Sequence, residues 1–302
     1  MRQTLEEKVV WITGASSGIG RALAVEAARR GARLLLSGRN EAALRETAER
    51  CGAASAHETG SSKGGTVSAQ RASRTKFEHA SSHETGSARP ECVILPFDLA
   101  DLSACAAAAR RAEAIFGRID VLALNAGVSQ RAKFAETAPE VFDAIVRTNF
   151  SASVALTRAI LPGMRARDSG TIVAISSVAG LMGAPWRTEY SASKHALAGF
   201  FGSLRAELHG SGIQISMVYP GFVRTAISEN AFAGDGSKHG ELDPLQQAGQ
   251  DPAETARLVW NSVGAGALEI KVAFDFKARL GVFLSRHVPG LFVRSISRHG
   301  GL

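Results

Sequence analysis

Two side chains in this 302-residue sequence stand at a spacing that can move a proton. Tyr190 and Lys194 are i and i+4, which puts them on one face of one helix. A neighbouring ammonium favours phenolate and lowers a phenol from its ordinary pKa of about 10 toward neutrality. A group tuned in that way works as an acid/base near working pH. Ser177 lies upstream, at the end of an apolar run, and its hydroxyl can donate to a carbonyl oxygen held beside the tyrosine. A Tyr-x-x-x-Lys pair alone also describes the surface of any amphipathic helix. Its meaning depends on the elements that would carry it.

Those elements begin with Val9-Val10-Trp11-Ile12, an expected buried strand, followed by Thr13-Gly14-Ala15-Ser16-Ser17-Gly18-Ile19-Gly20 and a helical pattern from Arg21. A strand, a glycine-rich turn and a helix start make a phosphate site. The helix N-terminus offers unpaired N–H groups, and the glycines let a pyrophosphate come close. The spacing of Gly14, Gly18 and Gly20 is not that of the commonest dinucleotide fingerprint. A second strand, Arg33–Ser37, ends in Gly38-Arg39-Asn40. An NAD-preferring site usually places a carboxylate there for the ribose 2′-hydroxyl. Arg39 instead suits a 2′-phosphate, so NADP (NADPH) is the expected cofactor, with NAD as the alternative; Arg39 as a plain exposed turn residue is the competing reading.

Further strands are expected at Cys92–Phe97, Ile119–Leu124 and Thr171–Ile175. Asp98, followed by Leu99, could accept from an adenine amino group or cap the next helix. Asn125-Ala126-Gly127 is small enough for a flat ring to lie against the backbone. Asn149 sits inside a long helical pattern that starts near Pro139. It is either a tolerated core residue or the mark of a bent helix with a freed carbonyl.

Strand and helix patterns alternate almost throughout. The expected architecture is α/β: a three-layer, doubly wound parallel sheet of Rossmann type, with about seven strands in a single domain over 1–302. Residues 52–90 interrupt it. They are rich in Ser, Gly, Ala, Thr and His and carry the direct repeat His57-Glu58-Thr59-Gly60-Ser61 and His83-Glu84-Thr85-Gly86-Ser87. So long a structureless connection is abnormal in a compact domain, and a disordered insertion is expected. Its histidines His57, His79 and His83 are too loosely spaced for a fixed metal site, and no metal is assigned.

The 45% apolar fraction suffices for a large core. Three cysteines, an odd and small number, point to free thiols in a reducing compartment, so a cytoplasmic location is expected. Residues Met1 to Lys8 are polar, and no secretory leader or membrane anchor is expected from them. The net charge of +7 fits an anionic ligand, a membrane surface or nucleic acid. Aromatic residues do not interleave with basic ones in the manner of single-strand binders, so no nucleic-acid partner is expected.

Taken together, Thr-Gly-x-x-x-Gly-x-Gly, Asn125-Ala126-Gly127, Asn149, Ser177, Tyr190 with Lys194, and Pro220-Gly221 with Thr225 stand in the order and spacing of the short-chain dehydrogenase/reductases. The sequence resembles that family from about Lys8 to Thr225. The resemblance implies hydride transfer between a nicotinamide cofactor and a ketone or secondary alcohol. It implies that Tyr190 protonates the carbonyl oxygen during reduction and that Ser177 orients it. Lys194 would hold the nicotinamide ribose and depress the Tyr190 pKa, and Asn149 would hold a water in a proton relay. The implied cofactor set is Gly14, Ser16, Ser17, Gly18, Ile19, Gly20, Arg39, Asp98, Leu99, Asn125, Ala126, Gly127, Tyr190 and Lys194. Pro220, Gly221, Val223 and Thr225 would lie on the nicotinamide side. The family usually assembles as a homodimer or homotetramer through the two long helices that carry Asn149 and Tyr190.

Beyond Thr225, the Gly-rich stretch to 250 is expected to be a substrate lid. Residues 266–302 form a tail of apolar residues interleaved with Arg279, Arg286, Arg294 and Arg298. The tail, with Trp186-Arg187-Thr188-Glu189 ahead of Tyr190, resembles the dehydrogenase/reductase member 7B-like subgroup. Its members are linked to lipid-like ketones, including acyl-dihydroxyacetone phosphate. The tail reads either as a helix pair packed on its own domain or a partner subunit, or as a peripheral membrane contact. Two rivals stay open: a non-catalytic NADP(H) sensor, and a basic membrane-surface binder.

Overall fold

The computed structural model describes residues 4–60 and 92–297. Seven parallel strands form one sheet in the order β3-β2-β1-β4-β5-β6-β7. They are β1 (Val9–Thr13), β2 (Arg33–Gly38), β3 (Cys92–Pro96), β4 (Val121–Leu124), β5 (Gly170–Ile175), β6 (Ile213–Pro220) and β7 (Glu269–Val272). β1, β4 and β5 are buried along their whole length, as strands covered by helices on both faces must be. Alternate residues of β1 serve opposite layers. Trp11 packs with Leu35, Phe116, Leu122 and Phe201, while Val10 and Ile12 pack with Leu23, Leu34 and Trp260. Both buried indoles are satisfied: Trp11 Nε1 donates to Ser37 Oγ at 2.9 Å and Trp260 Nε1 to the Leu23 carbonyl at 3.0 Å.

The strand order reverses between β1 and β4. At such a switch point neighbouring helices leave for opposite faces and a crevice opens at the carboxyl ends of the strands. The helices on the two faces are α1 (Gly18–Arg29), α2 (Glu41–Gly60), α3 (Leu102–Phe116), α4 (Pro139–Val146), α5 (Ala152–Ala166), α6 (Thr188–Glu207) and α8 (Pro252–Gly264); a short α7 spans Pro244–Gln247. α9 (Phe276–His287) and α10 (Pro289–Ser297) close the described chain.

Four features differ from the expectations of sequence or refine them. α2 does not stop near Arg50 but runs to Gly60, into the expected insertion. Cys51 and Ala54 are buried, and Ser55 Oγ donates to the carbonyls of Cys51 and Ala28, so the helix continues because α1 offers it a wall. The rest of the expected insertion, with His79 and His83, lies outside the described residues. Asp98 does not cap the helix after β3. It accepts from the Ala100 N–H in a turn, and Asp101 is the cap, accepting from Ser103 N and Ala104 N. The long helix around Asn149 is broken by a π-helical turn, Arg147–Ser151. The 225–250 stretch is pinned by backbone bonds to the segment after β4. Phe232 N donates to Ser129 O at 2.9 Å and Ala138 N to Gly234 O at 2.8 Å.

Candidate active site

The glycine turn is packed too tightly for side chains at two places. A Cβ on Gly14, whose φ is +65°, would lie 2.8 Å from Ala126 Cα. A Cβ on Gly20 would lie 2.2 Å from the Gly14 carbonyl oxygen. β4 is tied to this turn through Asn125: its N–H donates to Thr13 Oγ1 at 3.0 Å, and its Nδ2 to the Thr13 and Gly14 carbonyls at 3.0 and 3.3 Å. Ser17 caps α1 in extended conformation without a side-chain bond, and no acidic residue stands in the first turn. The first N–H groups of α1 therefore face an opening that suits an anion.

One cavity of about 740 Å³ runs from this turn to the C-terminal helices. Of the residues the sequence singled out, all but Gly20 and Asn149 line it. Gly20 shapes the turn from behind. Asn149 is fully buried and braces the site instead: its Oδ1 accepts from Val128 N at 2.8 Å, and its Nδ2 donates to Val128 O at 3.0 Å and Ser193 Oγ at 2.9 Å. Ser193 Oγ donates in turn to the Tyr190 carbonyl at 2.8 Å. A Cβ on Gly127 would meet Asn149 Oδ1 at 3.2 Å and Lys194 Nζ at 3.3 Å, so a side chain there would press these groups outward by a few tenths of an ångström.

Ser177, Tyr190 and Lys194 meet on one wall. Lys194 Nζ lies 5.9 Å from the Tyr190 ring centre and donates to the Ile175 carbonyl at 2.9 Å. Burial pulls Lys194 down from 10.5 to about 8. The net direction for Tyr190 is upward, not toward neutrality. Burial pushes the phenol up, opposed by a hydrogen bond with Ser177 and by the positive charge of Arg187.

Sequence reasoning missed two contributors. Arg187, three residues before Tyr190, lines the cavity, and its side chain is only 12% exposed. The inner sides of α9 and α10 line it too, through Leu280, Leu284, Phe292 and Ile296. The tail, which the sequence reads either as a helix pair packed on its own domain or a partner subunit or as a membrane contact, turns one side into the cavity, while Phe276, 76% exposed, and Phe283, 55% exposed, face outward.

A dinucleotide fits this donor set: a close-approach glycine turn, an open helix start and a narrow slot beside Ala126 and Gly127. Comparison with known proteins agrees. The family model described as short chain dehydrogenase matches residues 8–60 and 52–236. Dehydrogenase/reductase SDR family member 7B of Bos taurus is 37% identical over 294 residues, covering 97% of this chain and 82% of the relative. The crystal structure of a metagenomic short-chain oxidoreductase in complex with NADP is 27% identical, with a TM-score of 0.63 over 89% of this chain and 98% of its own. A Burkholderia phymatum short-chain dehydrogenase/reductase in complex with NAD, 22% identical, shares the fold with a TM-score of 0.75 over 96% of each chain. The chain therefore belongs to the short-chain dehydrogenase/reductase family of oxidoreductases.

Proposed function

We propose that this oxidoreductase interconverts a ketone and a secondary alcohol, with NADP(H) preferred and with Tyr190 as the acid/base. The observation that carries the reading is the meeting of Ser177, Tyr190 and Lys194 on one cavity wall, next to the glycine turn. A bound nicotinamide cofactor supplies the hydride. In the proposed reduction the Ser177 hydroxyl donates to the substrate oxygen and fixes it beside Tyr190. The Tyr190 hydroxyl then gives its proton to that oxygen. Lys194 holds the ribose, and Asn149 keeps the turn carrying Val128 and the helix carrying Tyr190 in register through its three bonds.

The NADP preference is supported by Gly38 and Arg39, both at the cavity rim, and by the missing carboxylate at the end of β2. A lipid-like ketone is supported by the apolar inner face of α9 and α10, which extends the cavity beyond the glycine turn. Assembly through α5 and α6, and a bilayer contact through Phe276 and Phe283 within a cytoplasmic setting, belong to the same reading. Among the described residues no helix is long and apolar enough to cross a membrane.

The deciding experiment is NADPH and NADH consumption against paired long-chain and small ketones. Turnover confined to long-chain ketones, with NADPH, supports the whole reading. Turnover of small ketones alone leaves only the reaction type. Tight NADPH binding with no turnover on any carbonyl would replace it with a sensor.

A further inference from the structure

Gln246 is a buried amide in a place where packing alone would favour an apolar side chain. It lies in α7, within the stretch expected to be a substrate lid, and is 6% exposed. Burying an amide is costly unless its hydrogens are bonded. Here the amide nitrogen has two acceptors: Nε2 donates to the Val223 carbonyl and, at 3.3 Å, to Thr225 Oγ1. The carbonyl settles which end of the amide faces this way, because only the NH2 group can donate to it. Val223, Thr225 and Gln246 all line the cavity.

The surrounding contacts hold α7 hard against this segment. Arg224 N donates to Gln250 O and Gln250 N to Phe222 O, both at 2.9 Å. A Cβ on Gly249 would lie 2.6 Å from the Phe222 carbonyl oxygen, so the two backbones touch. The other end of α7 is anchored to the body of the fold. Asp243 caps it, accepting from Leu245 N at 2.9 Å, and donates its own N–H to Ser228 Oγ at 3.0 Å. Asp243 Oδ2 pairs with Arg131, from the segment after β4, and with Arg187, which precedes α6, each at 3.3 Å. α7 is thus a fixed mount for Gln246.

Thr225 stands over the glycine turn, where a Cβ on Gly18 would lie 3.1 Å from Thr225 Cγ2. A hydroxyl has one proton to donate and two lone pairs that accept. Gln246 occupies a lone pair, and no other described residue bonds this oxygen. The proton is left for an acceptor in the cavity. We propose that Gln246 is a positioning residue for the dinucleotide: it holds Thr225 so that the hydroxyl donates to an oxygen of the bound cofactor. An acceptor in place of the Gln246 NH2 group would draw that proton away from the cavity. The proposal rests on the cavity taking a nicotinamide dinucleotide, and on no assignment of the acid/base.

NADPH and NADH binding, followed by cofactor fluorescence without substrate, tests this through a double-mutant cycle. Gln246→Met and Thr225→Val are each expected to weaken binding of the preferred cofactor about fivefold. Gln246→Met added to Thr225→Val is expected to cost at most about twofold more, because the hydroxyl that Gln246 positions is gone. A residue that served only to hold the chain would cost the same in both backgrounds, and that result overturns the proposal. Unchanged affinity in either single variant overturns it too. Should Gln246→Met fail to fold, Gln246→Glu runs the same cycle: it keeps the shape, reverses the bond to Thr225 and should lose more affinity in the parent than in Thr225→Val. A parent protein that binds neither cofactor would sink the cofactor reading itself, a result the cycle separates from failure of Gln246 alone.

Discussion

Replacing Lys194 by methionine is expected to make the fold more stable while ending turnover. The side chain is 3% exposed, and its burial brings the ammonium down from 10.5 to about 8. At about 1.4 kcal/mol per pH unit, that drop holds about 3 kcal/mol against the charged form in the folded state. Methionine matches the length and removes the charge. It also loses the bond to the Ile175 carbonyl, a cost of about 1 kcal/mol. The net gain near neutral pH is about 2 kcal/mol, or roughly 4 °C in Tm for a chain of this size. The pH dependence has a definite sign. Below about 8 both folded and unfolded lysine are protonated and the penalty is complete. Between about 8 and 10.5 the unfolded chain binds more protons, so the unmodified protein gains stability as pH rises. The advantage of the variant therefore shrinks across that window. Urea unfolding of both proteins near pH 7 and again near pH 10 measures it. A variant less stable near pH 7, or an advantage that is the same at both pH values, would refute the reasoning.

Other perturbations follow from the same geometry. Gly20→Ala sets a methyl 2.2 Å from the Gly14 carbonyl oxygen, so NADPH affinity should fall at least about tenfold, read by NADPH fluorescence, with the turn displaced. Asn149→Ala strips three buried hydrogen bonds and should cost about 3 kcal/mol in urea unfolding, with a larger relative loss in kcat than in NADPH binding. Tyr190→Phe should abolish turnover and leave NADPH binding within about threefold of the parent, measured by titration. Gly38→Asp puts a carboxylate at the rim beside Arg39. It should shift the ratio of kcat/KM for NADPH over NADH by about tenfold or more toward NADH.

Local signals carried much of the architecture. The glycine turn was legible because its spacing follows from one strand end and one helix start, and Tyr190 with Lys194 because i and i+4 share a face in any helix. The break at Asn149 was legible as an awkward residue in a helix, though not as a π-helical turn. What stayed hidden depends on distant partners. Residues 52–56 look like loop by composition, yet α1 supplies a wall and they remain helical. Arg187 gains its meaning only from Asp243, and these residues are joined by folding, not by spacing. The net direction for Tyr190 stayed hidden because i and i+4 proximity says nothing about how deeply a phenol is buried.

The placement of α9 and α10 has a consequence for how such enzymes diversify. The sheet is complete at Val272, and within three residues, Ala273 to Asp275, the chain passes from the last strand to the wall of the cavity. The glycine turn therefore leaves the ribosome well before the cavity wall that α9 and α10 supply. A recombination event or frameshift repair in the final stretch can exchange that wall without touching the glycine turn, Tyr190 or Lys194. A graft beginning after β7 would thus replace one cavity wall while leaving the glycine turn, Tyr190 and Lys194 in place.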